Sequence, residues 1–379
     1  MQPIYLDHAA TTPVRPEVRE AMLPWLGDRF GNPSSSHRWG REARAALEEA
    51  RERVAAVLGA RRSEILFTAC GTESDNLAIL GRVHAHDEPR AVVCSAIEHK
   101  AVLMAAKQAH REGVPMVLLG VDTDGRVDVD ALDEAIALRP CVVSVMWGNN
   151  EVGTLQPVRE LAERCRARDV TFHSDAVQAF GKVRIRVDDV PCDLLALGAH
   201  KFGGPKGVGV LYIRDGVRLA PLQFGGGQEH QLRPGTESVA DAVAFATAME
   251  LAAAEQAAET RRLARLRDAI ERGLCAGVPG LTVNGAGADR LPHITNVSVP
   301  GVDQDALVVA LDLAGFAVSV ASACQSGATQ PSHVLAAMGR IIEGAASIRV
   351  SVGRTTTDEQ ARRAAVEIPG VVARVRAAA

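Results

Sequence analysis

Two stretches place polar side chains directly after apolar runs: Val170-Thr171-Phe172-His173-Ser174-Asp175-Ala176-Val177-Gln178 and Leu197-Gly198-Ala199-His200-Lys201. In α/β sheets, ligands gather at the carboxyl ends of strands, so Asp175 and Lys201, 26 residues apart, are candidates for one site. A lysine amine condenses with an aldehyde, and a carboxylate can hold a ring nitrogen protonated. Pyridoxal phosphate chemistry needs both groups across a single ring. Each residue also has an ordinary reading, Asp175 as a helix cap and Lys201 as a solvated lysine.

Other stretches add chemistry of the same kind. Thr68-Ala69-Cys70-Gly71-Thr72-Glu73-Ser74 lies between a strand pattern and a helix pattern, where backbone N–H groups and the Thr72 hydroxyl would meet an anion. As an isolated Gly-Thr helix start it is equally an ordinary cap. Phe202-Gly203-Gly204-Pro205-Lys206-Gly207 fails as a phosphate-binding P-loop, because no Ser or Thr follows the lysine; it reads as a turn that lets the backbone approach Lys201. Cys324 sits in Ala321-Ser322-Ala323-Cys324-Gln325-Ser326-Gly327, small polar surroundings that suit an accessible thiol. His99 follows a strand pattern, and Arg349 lies in an alternating run where it is either an exposed arginine or a bidentate clamp for a carboxylate.

The elements that must position these residues alternate. Apolar runs at 64–68, 91–95, 116–119, 141–146, 170–174, 194–197 and 208–213 read as strands, and helical patterns at 38–58, 72–84, 100–112, 129–138 and 157–168 fall between them. That rhythm predicts a mostly parallel sheet covered on both faces. Residues 32–36 offer candidate N-caps for the helix at 38–58, and Gly59 is placed to end it. A charged, Ala-rich segment at 241–274 predicts one long helix. Beyond it, strands at 294–299 and 317–320 and a helix at 303–314 suggest a smaller α+β unit, with a frayed helix end closing the chain.

With 379 residues the chain suits about two domains. A net charge of −4 argues against bulk electrostatic binding of nucleic acid, and 47% apolar with 23% charged residues is globular composition. The seven cysteines form no CxxC pair, which speaks against a disulfide framework and a zinc ribbon and suits a reducing compartment. The N-terminal residues do not read as a secretory signal and no apolar run approaches a membrane span, so the expected location is the cytoplasm, with no membrane partner.

Taken together the motifs are far more specific than any one of them. In order they are LDHAATTP (6–13), FGNPSSSH (30–37), GTESDN (71–76), EHKAV (98–102), MWGNNEVG (146–153) and HSDAVQAFGK (173–182). GAHKFGGPKGVG (198–209), RPGTES (233–238), SACQSG (322–327) and SIRVSVGR (347–354) complete the set. Over nearly the whole chain this resembles the cysteine desulfurases of the NifS/IscS type, within the class V aminotransferases. The resemblance implies an α/β, pyridoxal-phosphate-dependent transferase fold of type I. Its mostly parallel seven-stranded sheet is joined to a smaller α+β domain, with boundaries expected at 1–15, 16–257 and 258–379.

Carried over residue by residue, the resemblance implies that Lys201 bonds the cofactor, Asp175 pairs with its ring nitrogen and Gln178 with its phenolic oxygen. His99 stacks on the ring and shuttles protons. Asn150 lies by the ring oxygen and substrate; Gly71, Thr72 and His200 hold the phosphate, joined by Thr236 from the second subunit of a homodimer. Asn32 and Arg349 grip the carboxylate of L-cysteine. Cys324 is the nucleophile that receives sulfur, leaving alanine, and passes it to an acceptor or scaffold protein for iron–sulfur cluster assembly or tRNA thiolation. The resemblance also allows Cys324 to ligate an iron–sulfur cluster jointly with such a scaffold. Two positions depart from the pattern: Gly198 stands where relatives often carry a serine, and Ala321 where they carry a glycine. Alternatives at this level are another class V enzyme, such as an aminotransferase or selenocysteine lyase, and a non-catalytic sulfur-carrier scaffold.

Overall fold

The computed structural model describes residues 2–320 and 331–378, so Cys324 and Ala321 lie outside the described residues. The chain opens with strand β1 (Ile4–Tyr5) and helices α1 (Pro16–Leu26) and α2 (Arg38–Leu58). The N-cap of α2 is His37, whose Nδ1 accepts from the Gly40 amide, and not one of residues 32–36. Asn32 is engaged nearer home, its Oδ1 accepting from Ser34 N in an Asx-type turn. Gly59 ends α2 at φ 71°, a left-handed conformation that glycine adopts without penalty.

The main sheet then assembles from β2 (Ile65–Thr68), α3 (Gly71–His84), β3 (Val92–Ser95), α4 (Lys100–Arg111), β4 (Met116–Leu119), α5 (Val129–Ala137), β5 (Val142–Ser144), α6 (Val158–Ala167), β6 (Phe172–Asp175), β7 (Leu194–Gly198) and β8 (Gly209–Ile213). Its order is β2-β8-β7-β6-β5-β3-β4. Only β8 runs against its neighbours. The short link from β7 makes a reversal there natural, because a parallel return needs a long crossover. Residues of β2, β3, β5, β6 and β7 are buried throughout, as strands covered on both faces must be. With few aromatics the core is aliphatic, but Phe67, Phe245, Phe202 and Phe180 form an edge-to-face chain through its centre, with centroids 6.3, 5.5 and 5.0 Å apart.

Helix α7 (Val239–Gly277) serves two cores. Ala242, Phe245, Met249 and Ala252 belong to the core of the main sheet, whereas Leu263, Leu266, Ile270 and Leu274 belong to a second. That second core is built with β9 (Thr282–Asn284), β10 (Ile294–Pro300), α8 (Gln304–Leu313), β11 (Phe316–Ala317), β12 (Ser319–Val320), β13 (Ala345–Ser351) and α10 (Asp358–Ala378), whereas α9 (His333–Ala337) packs Val334 and Leu335 on Ile97 and Val152. The strand expected at 317–320 is split, because Phe316 and Ala317 pair with β1 whereas Ser319 and Val320 pair with β13. Ile4 and Leu6 insert into this second core, tying the N-terminus to it. The chain does not fray before its end: α10 runs to Ala378 and buries Ile368, Val371 and Val372. No helix among the described residues is long and apolar enough to cross a membrane.

Candidate active site

Asp175 is the last residue of β6 and is 6% exposed. Its Oδ1 accepts from the Val177 amide at 2.8 Å. Burial pushes its carboxyl up, while His99, that amide and Lys201 pull it back towards ionisation. One side-chain ligand atom from each of Asp175, His99 and Asp75 lies within 4.8 Å of the others. His99 caps α4 by accepting from Ala101 N through Nδ1, which turns the rest of the ring towards this cluster. Desolvation lowers the His99 pKa against the opposing pull of Asp175.

Lys201 ends the short 3-10 turn (Ala199–Lys201) that follows β7. Phe202 holds it in place from below, wedged edge-to-face against Phe180 and Phe245. Beyond it Gly203 sits at φ 92°, and a Cβ there would meet Arg15 Cγ at 2.7 Å, so both conformation and space demand glycine. Lys201 Nζ donates to the carbonyls of Ala9 at 2.7 Å and Ala10 at 2.8 Å, bringing the 6–13 motif into the site. Burial and the nearby Arg349 lower its pKa to about 8, opposed by Asp175 and Asp7. Gln178 donates to the same Ala9 carbonyl at 2.7 Å rather than standing free.

An anion seat adjoins these groups. No side chain caps the first turn of α3, where Cys70 is the N-cap. Gly71 lies so close to the chain after Asp175 that a Cβ would strike Val177 Cγ2 at 2.6 Å. A Cβ at Gly198 would stand 3.7 Å from the Gly71 nitrogen, so β7 ends facing this helix start. Thr72 is exposed in the first turn, and His200 bonds Thr11 Oγ1 at 3.2 Å, with burial lowering its pKa to about 4.

From the second core comes Arg349, 7% exposed, which donates to the Asn150 carbonyl at 2.8 Å and to Asp7 Oδ1 at 2.7 Å while its Nε has no partner. Lys201, Asp175, His99, Gln178 and Arg349 are therefore brought together, with Asn150 joined through its backbone. Asn32 and Thr236 are exposed, and among the described residues no side-chain hydrogen bond links either to this group. Described residues flanking 321–330 also reach the site. Ser319 pairs with Arg349, Ser332 donates to Glu151 Oε2, and a ring nitrogen of His333 bonds the Glu98 carbonyl. Sequence reasoning did not single out Asp7, Ala9, Glu151 or His333; LDHAATTP contained the first two, MWGNNEVG contained Glu151 and EHKAV the Glu98 carbonyl, whereas His333 lay in none of the motifs.

The chain matches the aminotransferase class V family over residues 4–363. It is 45% identical over 358 residues to the cysteine desulfurase IscS of Dictyoglomus turgidum, covering 94% of this chain and 91% of the relative. To the cysteine desulfurase NifS of Azotobacter vinelandii it is 42% identical over 378 residues, covering 99% and 94%. Among solved structures it is similar to a NifS-like protein, with a TM-score of 0.91 at 35% identity covering 98% of this chain and 100% of that one. A structure described as SspA in complex with cysteine has a TM-score of 0.80 at 35% identity, covering 92% and 98%. The chain belongs to the class V aminotransferase family, and it is a pyridoxal-phosphate-dependent enzyme of that fold.

The residues present fit the cofactor. An uncapped helix start crowded by Val177 suits a phosphate, a buried carboxylate suits a protonated ring nitrogen, and an amine held near neutrality suits an aldehyde.

Proposed function

We propose that the protein is a cysteine desulfurase that takes sulfur from L-cysteine and leaves L-alanine. The observation that carries this reading is the convergence of Lys201, Asp175, His99 and Arg349 at the end of the parallel sheet, in a chain whose relatives bear that name. Pyridoxal 5'-phosphate, when bound, supplies an aldehyde for amines and a ring that draws electrons from the substrate's Cα. Lys201 would hold its aldehyde carbon, Asp175 its ring nitrogen, and Gly71, Thr72 and His200 its phosphate, with Gln178 and Asn150 beside the ring oxygen.

The chain's own groups divide the remaining work. Arg349 grips the substrate carboxylate through N–H groups now given to Asp7 and Asn150, which fixes the Cα–H bond relative to Lys201. Lys201, with its pKa near 8, takes and returns the proton at Cα through Nζ. His99 accepts the proton that must leave a thiol before sulfur can attack. Cys324 Sγ then attacks the substrate sulfur: the substrate C–S bond breaks with its electron pair going to Cβ, an S–S bond forms, Cβ takes the proton given up by the thiol, and Cα regains its own from Lys201, giving alanine. L-cysteine plus a thiol thus gives L-alanine plus a persulfide, with no other reactant.

The exposed Thr236 reaches the phosphate of a second copy in a homodimer, and Asn32 assists Arg349. The domain boundary is put near residue 257, within α7; the switch of that helix from one core to the other supports it. The persulfide passes to an acceptor or scaffold protein in the cytoplasm, for iron–sulfur cluster assembly or tRNA thiolation, and Cys324 can join a cluster there. Incubation with L-cysteine followed by peptide mass spectrometry tests the reading: one added sulfur on the Cys324 peptide and equimolar alanine are expected. Alanine without a persulfide in wild type, or equal turnover in Cys324→Ser, overturns it.

A further inference from the structure

Behind Asp175 lies a second set of buried ionisable groups that the reading above does not use. Asp75, on α3, is 1% exposed and has an oxygen within 4.8 Å of Asp175 and His99 ligand atoms. Its Oδ1 has no hydrogen-bond partner and stands 3.5 Å from Nε2 of His173, which is fully buried and equally unpartnered. The other ring nitrogen, Nδ1, is 2.8 Å from Ser144 Oγ. Glu98 is close by, 0% exposed, with Oε1 accepting from Ser95 and Met146 and Oε2 unpartnered. Among the described residues, no lysine or arginine hydrogen-bonds or ion-pairs with Asp75 or Glu98.

Two carboxylates this close in a dry interior do not both ionise; one keeps its proton. The surroundings decide which. Asp175 receives an N–H from Val177 and faces His99 and Lys201, all of which favour its anion. Asp75 faces Asp175, Glu98 and Cys70, each opposing its ionisation, and burial works in the same direction. His173 is held neutral by burial, so it carries one N–H. In the tautomer that donates from Nδ1 to Ser144 Oγ, Nε2 is a bare acceptor pointing at Asp75.

We propose that Asp75 is a positioning residue that stays protonated and gives its O–H to His173 Nε2, leaving Asp175 as the anion available to a ring nitrogen. The positioning role rests on the cofactor seat proposed above; the proton on Asp75 does not. Infrared difference spectra of the holoenzyme at pH 9, above the values of about 8 for Glu98 and about 7 for Glu151, test that proton directly. Asp75→Asn is expected to remove a carboxylic-acid C=O band, and an unchanged spectrum overturns the proposal. The same variant keeps the site's charge, so the dissociation constant for pyridoxal 5'-phosphate, followed by absorbance, should stay within about threefold of wild type. A tenfold or greater weakening would mean that a negative charge had been removed, since about 1.4 kcal/mol separates each factor of ten.

His173→Phe deletes the acceptor and turns the Asp75 proton towards Asp175, in competition with the ring. Cofactor affinity should fall about tenfold, and His173→Gln, whose Oε1 accepts, should restore it. Unchanged affinity in His173→Phe overturns the positioning role. Asp175→Asn separates the two readings: full affinity in that variant sinks the cofactor seat while leaving the infrared result to decide the Asp75 proton alone.

Discussion

Two arginines, each buried and each paired with a carboxylate, show how this molecule separates what must stay from what must react. Arg51, 4% exposed, holds its carboxylate with both Nη groups: Nη1 bonds the Ile65 carbonyl and Glu229 Oε2, Nη2 bonds Glu229 Oε1, and the guanidinium lies over Phe67. Glu229 is equally occupied, taking a further bond from Phe67 N. Arg349, 7% exposed, makes one bond to Asn150, one to Asp7, and leaves Nε without a partner. A bidentate pair gives a ligand no easy opening. A singly bonded one beside a lysine of lowered pKa is poised to exchange a protein carboxylate for a substrate one. Burial alone does not mark a functional arginine; Arg349 is set apart by its single bond to Asp7 and its place beside Lys201.

The sharpest way to break this contrast is to disable the reactive region while leaving the fold alone. Lys201→Ala should lower turnover on the order of 10^5-fold, since it removes the group that holds cofactor and moves the proton. Its unfolding midpoint without cofactor should not fall, because a partly dehydrated amine is lost. A large drop in that midpoint would show that Lys201 is a structural residue.

The bidentate pair should behave the opposite way. Glu229→Ala removes the bidentate partner of buried Arg51, leaving Glu48 at 3.6 Å, and the expected loss is about 3–5 kcal/mol of stability in denaturant titration. Activity per folded molecule should be retained. Arg349→Ala inverts the pattern again: kcat/KM for L-cysteine falls by about 10^2-fold, the worth of one or two charge-assisted bonds, with KM taking most of the change. If Arg349→Ala costs stability and Glu229→Ala costs only activity, the rule drawn from their hydrogen bonding is wrong.

Much of this was legible beforehand, for reasons specific to each element. The helix at 38–58 is bounded as read, because Gly59 punctuates it, and the runs at 116–119 and 194–197 are apolar enough to be nothing else in this rhythm. The parallel sheet was read from the strand–helix rhythm; polar residues placed after such runs made Asp175 and Lys201 candidates for one site, and the motif resemblance assigned them to it. What stayed hidden depends on long-range neighbours. The split after Ala317 comes from β1, more than three hundred residues earlier in the chain, and the Ala9 carbonyl that holds Lys201 has no side-chain signature. His37 as a cap escaped notice because Asn32 and the serines are better intrinsic caps, yet Asn32 was committed to its own turn.

Acid–base behaviour offers a gentler test of the reactive region. The folded-state pKa of Lys201 is lowered to about 8 from an ordinary 10.5, so between those values the unfolded chain binds more protons than the folded one. Stability of the cofactor-free protein should therefore rise with pH through that window. Lys182, also lowered to about 8, adds to the same slope. In Lys201→Met the slope should decrease while the Lys182 part persists. An identical slope would show that the Lys201 amine is as well solvated in the folded protein as in the unfolded chain.

The smallest effect, and the one with the sign least obvious from burial, is at Gly198. It is the last residue of β7, with φ −138° and ψ 120°, a conformation any residue adopts. A Cβ there would meet Val177 Cγ1 at 3.4 Å and the Gly71 nitrogen at 3.7 Å, which is ordinary contact. Gly198→Ser thus fits without strain and sets a hydroxyl beside the uncapped start of α3. If a phosphate sits there, that hydroxyl adds one hydrogen bond to a charged group, about 1.5–3 kcal/mol at most and less after its rotamer is fixed. Affinity for pyridoxal 5'-phosphate should rise roughly three- to tenfold, with affinity for pyridoxal, which lacks the phosphate, unchanged. Equal gains for both ligands would place the phosphate elsewhere. A loss for both would mean that the gap between β7 and α3 is closed to any side chain, and that glycine is there for packing, as at Gly71.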